Sequence, residues 1–128
     1  MRAMARKRIL CVDDSDLILL MERIVLAREG YELVTASDGE EAIALASENR
    51  PDLILLDVIM PRVSGLETCR RLRADARTRS IPIIMLSTRA EEEEVAAAYH
   101  SGCTDYLTKP IDGPLLLAKV KQALGDAS

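Results

Sequence analysis

Long apolar runs are absent from this 128-residue sequence. Its basic start, residues 2–8, leads into only four apolar residues at 9–12. A run of that length is too short for the core of a signal peptide or for a membrane span. We therefore expect a cytoplasmic protein that makes no contact with a membrane.

Excess positive charge and paired cysteines are also absent. The 17 Lys and Arg residues stand against 21 Asp and Glu residues, a formal net charge of −4 that gives no reason to expect nucleic-acid binding. Cys11, Cys69 and Cys103 form neither a CxxC motif nor a Cys/His pair. Their odd number and the missing export signal argue against a disulfide framework, so we interpret them as core residues.

The composition indicates one folded domain. A hydrophobic fraction of 48% and a charged fraction of 30% are ordinary for a soluble globular protein. Half of this chain would be too small to bury a good core. We expect the domain at residues 8–125, after a short basic segment at 1–7 and before a tail at 126–128, with no output domain.

Two kinds of apolar segment alternate along the chain. Continuous runs at residues 9–12, 53–56 and 83–86, with shorter ones at 33–34 and 106–107, are typical of strands buried on both faces of a parallel sheet. Between them apolar residues recur with helical spacing, in the first case at Leu17, Leu20, Met21 and Ile24. Five strand–helix repeats predict an α/β fold with a doubly wound, five-stranded parallel sheet.

Capping signals mark the expected ends of the helices. Glycine is typical just after a helix, and it occurs at 30, 102 and 125, after the first, fourth and fifth predicted helices. Three capping boxes predict helix starts: Ser37-x-x-Glu40, Ser64-x-x-Glu67 and Thr88-x-x-Glu91.

Polar residues follow the apolar runs directly, where a doubly wound sheet binds its ligands. These residues are Asp13, Asp14, Asp57, Ser87 and Lys109. Three carboxylates in one crevice would raise one another's pKa unless a cation neutralised them. Oxygen ligands select a hard divalent cation over zinc, so the sequence predicts a Mg²⁺ site, with Mn²⁺ as a substitute.

Four motifs carry a resemblance to a known family. In chain order they are Asp13-Asp14, Asp57-Val-Ile-Met-Pro-x-x-x-Gly65, Ser87-Thr88 and Asp105-Tyr-Leu-Thr-Lys109-Pro110. On these motifs nearly the whole chain resembles the receiver domains of two-component response regulators, in particular the single-domain chemotaxis type. The resemblance implies the flavodoxin-like strand order 2-1-3-4-5.

The resemblance also implies roles for individual residues. Asp57 matches the phosphoacceptor, and Asp13, Asp14, Asp57 and the backbone carbonyl of Ile59 match the Mg²⁺ ligands. Lys109 matches the lysine that contacts the phosphoryl group. The remaining matches are the switch residues Ser87 and Tyr106, the proline after a cis peptide bond, Pro110, and two residues expected to modulate access to the phosphoryl group and its loss, Thr88 and Arg89.

Partners follow from the same resemblance. A sensor histidine kinase or histidine phosphotransfer protein is expected to donate the phosphoryl group to a chain that is a phosphoacceptor and not a conventional enzyme. A monomer or a phosphorylation-dependent dimer would then bind a downstream protein through its fourth helix, fifth strand and fifth helix. Candidate contacts on that face are Glu92, Val95, Tyr99, Thr108 and Lys119.

Other functions remain open at this point. A degenerate receiver would act only as a docking module. A nucleotide or flavin binder needs a glycine-rich or hydroxyl-rich loop after the first strand, where residues 13–16 carry negative charge instead. A hydrolase with Asp57 as nucleophile lacks a second carboxylate two positions later. We interpret the glutamates at 91–94 and His100 as charges that complement the dipole of the fourth helix.

Overall fold

Five parallel strands form one sheet in the computed structural model, which describes residues 6–126. The segments expected at 1–7 and 126–128 lie mostly outside the described residues. The strand order β2-β1-β3-β4-β5 confirms the predicted fold class and topology. The strands are β1 (Arg8–Val12), β2 (Glu32–Ala36), β3 (Leu53–Asp57), β4 (Ile83–Ser87) and β5 (Asp105–Thr108).

Five helices cover the two faces of the sheet. Residues of α2, α3 and α4 pack on one face, and residues of α1 and α5 pack on the other. All three cysteines are buried, as expected of core residues. The helices are α1 (Asp16–Ala27), α2 (Gly39–Asn49), α3 (Gly65–Ala74), α4 (Glu92–Ser101) and α5 (Gly113–Leu124).

The predicted helix caps are correct in part. Ser64 caps α3, because its hydroxyl accepts the backbone N–H of Glu67 at 3.2 Å, and Gly102 and Gly125 end their helices in left-handed conformation. The box at Ser37 is wrong by one residue, since Asp38 caps α2. The box at Thr88 is wrong as well, because α4 begins at Glu92, beyond the reach of that side chain.

The apolar positions that predict α1 lie on its exposed side. Leu17 is 65% exposed, and Leu20 and Ile24 are each 51% exposed. The buried residues of this helix are instead Glu22 and Leu26. Apolar residues occur all around α1, so their spacing predicts the helix but not which side faces the sheet.

Candidate functional site

The register of the sheet brings the carboxyl ends of the strands to one edge. Val12 of β1 pairs with Leu56 of β3. The next residues, Asp13 and Asp57, therefore lie side by side at the carboxyl ends of these neighbouring strands. One carboxylate oxygen each from Asp13, Asp14 and Asp57 lies within 4.8 Å of the others. Asp13 and Asp57 are buried and Asp14 is exposed. Such a set of oxygen donors, open to solvent on one side, fits a hard divalent cation that keeps water ligands.

Lys109 lies between two of these carboxylates. Its Nζ donates to Asp13 Oδ2 at 2.8 Å and to Asp57 Oδ1 at 3.2 Å. Burial opposes the charge of this lysine, but the hydrogen bond to Asp13 and the two negative charges outweigh it and raise the pKa of Lys109. The lysine is therefore fully charged at neutral pH, and it partly neutralises the site.

Asp57 is an acid whose ionised form is disfavoured by its surroundings. Burial, followed by the negative charge of Asp13, raises its pKa, while Lys109 and the backbone N–H of Ile59 oppose that rise. The N–H of Ile59 thus faces Asp57, and the metal-binding role of its carbonyl stays a prediction. The Ile59 side chain is 50% exposed. Any positive charge brought to the cluster would stabilise the ionised carboxylate form of Asp57.

Helix α3 starts directly against the backbone of Asp57. The N–H of Gly65 donates to the carbonyl oxygen of Val58 at 2.8 Å. A Cβ atom added at Gly65 would collide with the carbonyl oxygen of Asp57. Only glycine permits this approach, so Gly65 helps to fix the position of the carboxylate.

Ser87 and Tyr106 hold the loop between β4 and α4 through the backbone of one residue. The hydroxyl oxygen of Ser87 accepts the N–H of Arg89 at 3.1 Å, and the Tyr106 hydroxyl donates to the carbonyl of Arg89 at 2.6 Å. Ser87 is buried, Tyr106 is half-buried, and the side chains of Thr88 and Arg89 are exposed. A displacement of this loop therefore disturbs both predicted switch residues together.

The other predicted residues lie in the following places. The peptide bond before Pro110 is cis. On the α4-β5-α5 face Glu92, Tyr99 and Thr108 are exposed, and Val95 and Lys119 are half-buried. His100 is in the last turn of α4. The roles expected for these residues stay predictions.

Two further residues have features to which the sequence analysis assigned no role. Asp105 of β5 joins α4 to α5. Its carboxylate accepts a hydrogen bond from the Tyr99 hydroxyl of α4 at 3.3 Å and forms a salt bridge with Lys119 of α5 at 3.0 Å. Glu22 lies in the protein interior, where burial and then the negative charge of Asp13 raise its pKa to about 8. Its position one helical turn before Leu26 was the available signal, since a charged residue there interrupts an apolar stripe.

Comparison with known proteins gives a consistent result. The family model described as the response regulator receiver domain matches residues 9–121. The transcriptional regulatory protein AfsQ1 of Streptomyces coelicolor is 40% identical over 116 residues, which are 91% of this chain and 50% of that protein. The chain thus spans about half the length of this and similar curated relatives.

Solved structures match over almost the whole chain. The chemotaxis protein CheY4 of Vibrio cholerae is 37% identical with a TM-score of 0.89, covering 94% of this chain and 100% of that one. The receiver domain of the sensor histidine kinase PA1611 from Pseudomonas aeruginosa is 30% identical with a TM-score of 0.88, covering 95% and 100%. That structure has a magnesium ion coordinated in its active-site cleft. Within residues 6–126 of the present chain, no helix is long and apolar enough to cross a membrane.

Proposed function

This chain belongs to the response regulator receiver domain family of two-component systems, and on that premise we propose that it accepts a phosphoryl group on Asp57 in a Mg²⁺-dependent reaction. The observation that carries the proposal is the position of Asp57. Its carboxylate lies in one cluster with Asp13 and Asp14 and accepts a hydrogen bond from Lys109.

The residues present fit a Mg²⁺ ion. Asp13, Asp14 and Asp57 would hold it, with the backbone carbonyl of Ile59 as a further ligand, and Mn²⁺ has the same preference for oxygen donors. The magnesium ion in the PA1611 receiver domain supports this assignment. When bound, Mg²⁺ supplies the positive charge that offsets the phosphoryl oxygens during transfer.

Asp57 is the nucleophile of the proposed reaction. One of its carboxylate oxygens forms a bond to phosphorus while the phosphorus–nitrogen bond of a phosphohistidine breaks and the imidazole leaves. A carboxylate needs no general base, which agrees with a site built from Asp, Lys and Ser side chains. The chain is in this proposal a phosphoacceptor and not a conventional enzyme.

Lys109 and Ser87 respond to the new phosphoryl group. Lys109 already donates to Asp57, so its ammonium group donates to a phosphoryl oxygen with a small displacement. The Ser87 hydroxyl oxygen accepts the N–H of Arg89, and its own proton is available to a phosphoryl oxygen. As Ser87 moves, Arg89 and the bond from Tyr106 move with it, which alters the α4-β5-α5 face.

The proposed partners follow from this chemistry. A sensor histidine kinase or a histidine phosphotransfer protein in the cytoplasm donates the phosphoryl group, and a downstream protein binds the altered face. The chain is a monomer or forms a dimer when phosphorylated. A docking module without phosphorylation is not favoured, because Asp13, Asp14, Asp57 and Lys109 all lie together.

Labelling with a radioactive phosphohistidine donor tests the proposal. We expect transfer to the chain in Mg²⁺ and little transfer when EDTA removes the metal. The label should be released by hydroxylamine, which cleaves acyl phosphates. A label that forms equally well in EDTA, or that resists hydroxylamine, would contradict an aspartyl phosphate made with Mg²⁺.

A further inference from the structure

An exposed apolar stripe runs along α1 on the side that is turned away from the sheet. Leu17 is 65% exposed, and Leu20 and Ile24 are each 51% exposed. Their spacing of three and four residues places them on one face of the helix. They are three of the six large hydrophobic residues that are exposed within residues 6–126. Such clustering on one helix, in contrast to scattered apolar residues, marks a surface for contact with another molecule.

One charged residue stands at each end of this stripe. Asp16 begins α1, and Arg28 follows its last residue with helical backbone angles, φ −61° and ψ −28°. The two residues therefore lie about 18 Å apart along the same helix axis. Both are exposed, and neither has a salt-bridge partner within residues 6–126. The stripe thus ends in an unpaired negative charge and an unpaired positive charge.

The stripe and its two charges are complementary to a second copy of themselves. Leu20 and Ile24 lie two residues on either side of position 22, and Asp16 and Arg28 lie six residues on either side of it. When two α1 helices pack antiparallel with position 22 on the two-fold axis, Leu20 therefore meets the partner's Ile24. At the same time Asp16 comes level with the partner's Arg28, and the symmetry forms both contacts twice.

The charge of the chain also favours this face for a second copy. The formal net charge is −4, so two copies repel each other over much of their surface. The exposed charged residues from the start of α1 to its C-cap are Asp16, Arg23 and Arg28, which bring no net negative charge to the contact. Arg23 lies at the margin of the stripe, where its long side chain extends into solvent. An interface limited to one helix from each copy is small, and small interfaces are weak and transient.

We propose that two copies of this chain pair through antiparallel α1 helices, which are held together by the apolar stripe and by Asp16 with the partner's Arg28. The dissociation constant is expected on the order of 0.1 mM, so the chain is a monomer at low concentration. The pairing includes neither α4 nor β5 and needs no phosphoryl group. It therefore goes beyond the proposed function and is independent of it.

Charge reversal tests the two reciprocal ion pairs. Sedimentation velocity of the unphosphorylated full chain over a series of concentrations measures the pairing. Asp16→Arg places two arginines at each contact and Arg28→Asp places two aspartates there, so each variant alone should pair at least about tenfold more weakly than the wild type. An equimolar mixture of the two variants restores opposite charges at both contacts and should pair about as tightly as the wild type. A mixture that pairs no better than either variant alone would overturn the proposal.

Leu20→Gln tests the apolar stripe with a change that leaves the charges in place. The variant is expected to pair roughly tenfold more weakly, because each copy loses a central apolar contact. Tyr99→Gln is the control, since it removes a side chain of similar exposure, 46%, from α4, and it should pair like the wild type. A wild type that stays monomeric well above the expected dissociation constant would overturn the proposal. Pairing that is weakened by Tyr99→Gln and not by Leu20→Gln would overturn it as well, by placing the contact on the α4-β5-α5 face.

Discussion

Lys109 lies closer to Asp13 than to the proposed phosphoacceptor Asp57, with its Nζ at 2.8 Å from Asp13 and 3.2 Å from Asp57. Asp13 is also a proposed ligand of Mg²⁺. A metal ion held by Asp13 would therefore compete with the lysine for one carboxylate. The ammonium group would then stay with Asp57 and with any phosphoryl group on it.

Removal of this lysine is expected to strengthen Mg²⁺ binding. Lys109→Gln eliminates the competing charge, so we predict that the Mg²⁺ affinity rises by roughly one order of magnitude. Isothermal titration calorimetry is the suitable measurement, because the chain has no tryptophan whose fluorescence could report binding. Lys119→Gln makes the same charge change on α5, where Lys119 pairs with Asp105, and is expected to have little effect. Weaker binding by Lys109→Gln would mean that the lysine supports the metal and does not compete with it.

Glu22 is predicted to make the stability of the metal-free protein fall as pH rises. The pKa of a glutamate outside any protein environment is 4.5, whereas the pKa of Glu22 in the folded protein is about 8. Between these two pH values the folded state therefore binds more protons than the unfolded state. The free energy of unfolding then decreases from pH 4.5 to pH 8 and is constant above pH 8. The total decrease is on the order of 5 kcal/mol. Urea unfolding followed by circular dichroism in EDTA measures the profile.

The matching variant is Glu22→Leu, which fills the same interior position with an apolar side chain. Its unfolding free energy is expected to exceed that of the wild type at pH 8 and to depend less on pH. A profile for Glu22→Leu parallel to that of the wild type would assign the pH dependence to other groups, such as Asp57, whose pKa is also raised by burial.

Tyr106→Phe is predicted to loosen the loop between β4 and α4. The variant loses the hydrogen bond to the Arg89 carbonyl, a loss of about 1 kcal/mol in unfolding free energy. Faster amide exchange is expected at residues 88–91, with the rest of the sheet unchanged. Tyr99→Phe, which removes a longer and exposed hydroxyl contact to Asp105, serves as the control. Exchange at 88–91 that is equal in both variants would show that Tyr106 does not hold the loop.

Gly65→Ala is predicted to destabilise the protein and to shift Asp57. The added Cβ collides with the Asp57 carbonyl oxygen and lies 2.7 Å from the Val58 Cα, so α3 or β3 must move at a cost of roughly 1 to 3 kcal/mol. Gly113 is also the first residue of a helix, but its added Cβ meets only a Val25 methyl at 3.4 Å. Thermal unfolding of both alanine variants therefore separates the collision from a general effect of glycine replacement, and equal losses would contradict it.

The meeting of the polar residues at the carboxyl ends of the strands was predictable, because it depends on the topology of the sheet. Once strands at residues 9–12, 53–56 and 83–86 are parallel, Asp13, Asp57 and Ser87 must share an edge, whatever the details of packing. The competition of Lys109 for Asp13 was not predictable, since it depends on where a long side chain ends in three dimensions. The start of α4 was missed for a similar reason: Thr88 has the right spacing to Glu91 for a cap, but its loop is held by Ser87 and Tyr106.

The burial of Glu22 shows the limit of periodicity. With Leu17, Leu20 and Ile24 on one side of α1 and Leu26 on the other, the apolar pattern allows either side to face the sheet. Which side is buried is decided by packing against β1 and α5, and this contact brings a glutamate into the interior.

The central claim is that Asp57 receives the phosphoryl group, and phosphoryl labelling of Asp57→Asn tests it most directly. The variant replaces one carboxylate oxygen by an amide nitrogen of similar size. Asp52→Asn, which alters an exposed carboxylate directly before the same strand, is the control. We predict Mg²⁺-dependent labelling of the wild type and Asp52→Asn and none of Asp57→Asn. Unchanged labelling of Asp57→Asn would place the acceptor elsewhere and contradict the account.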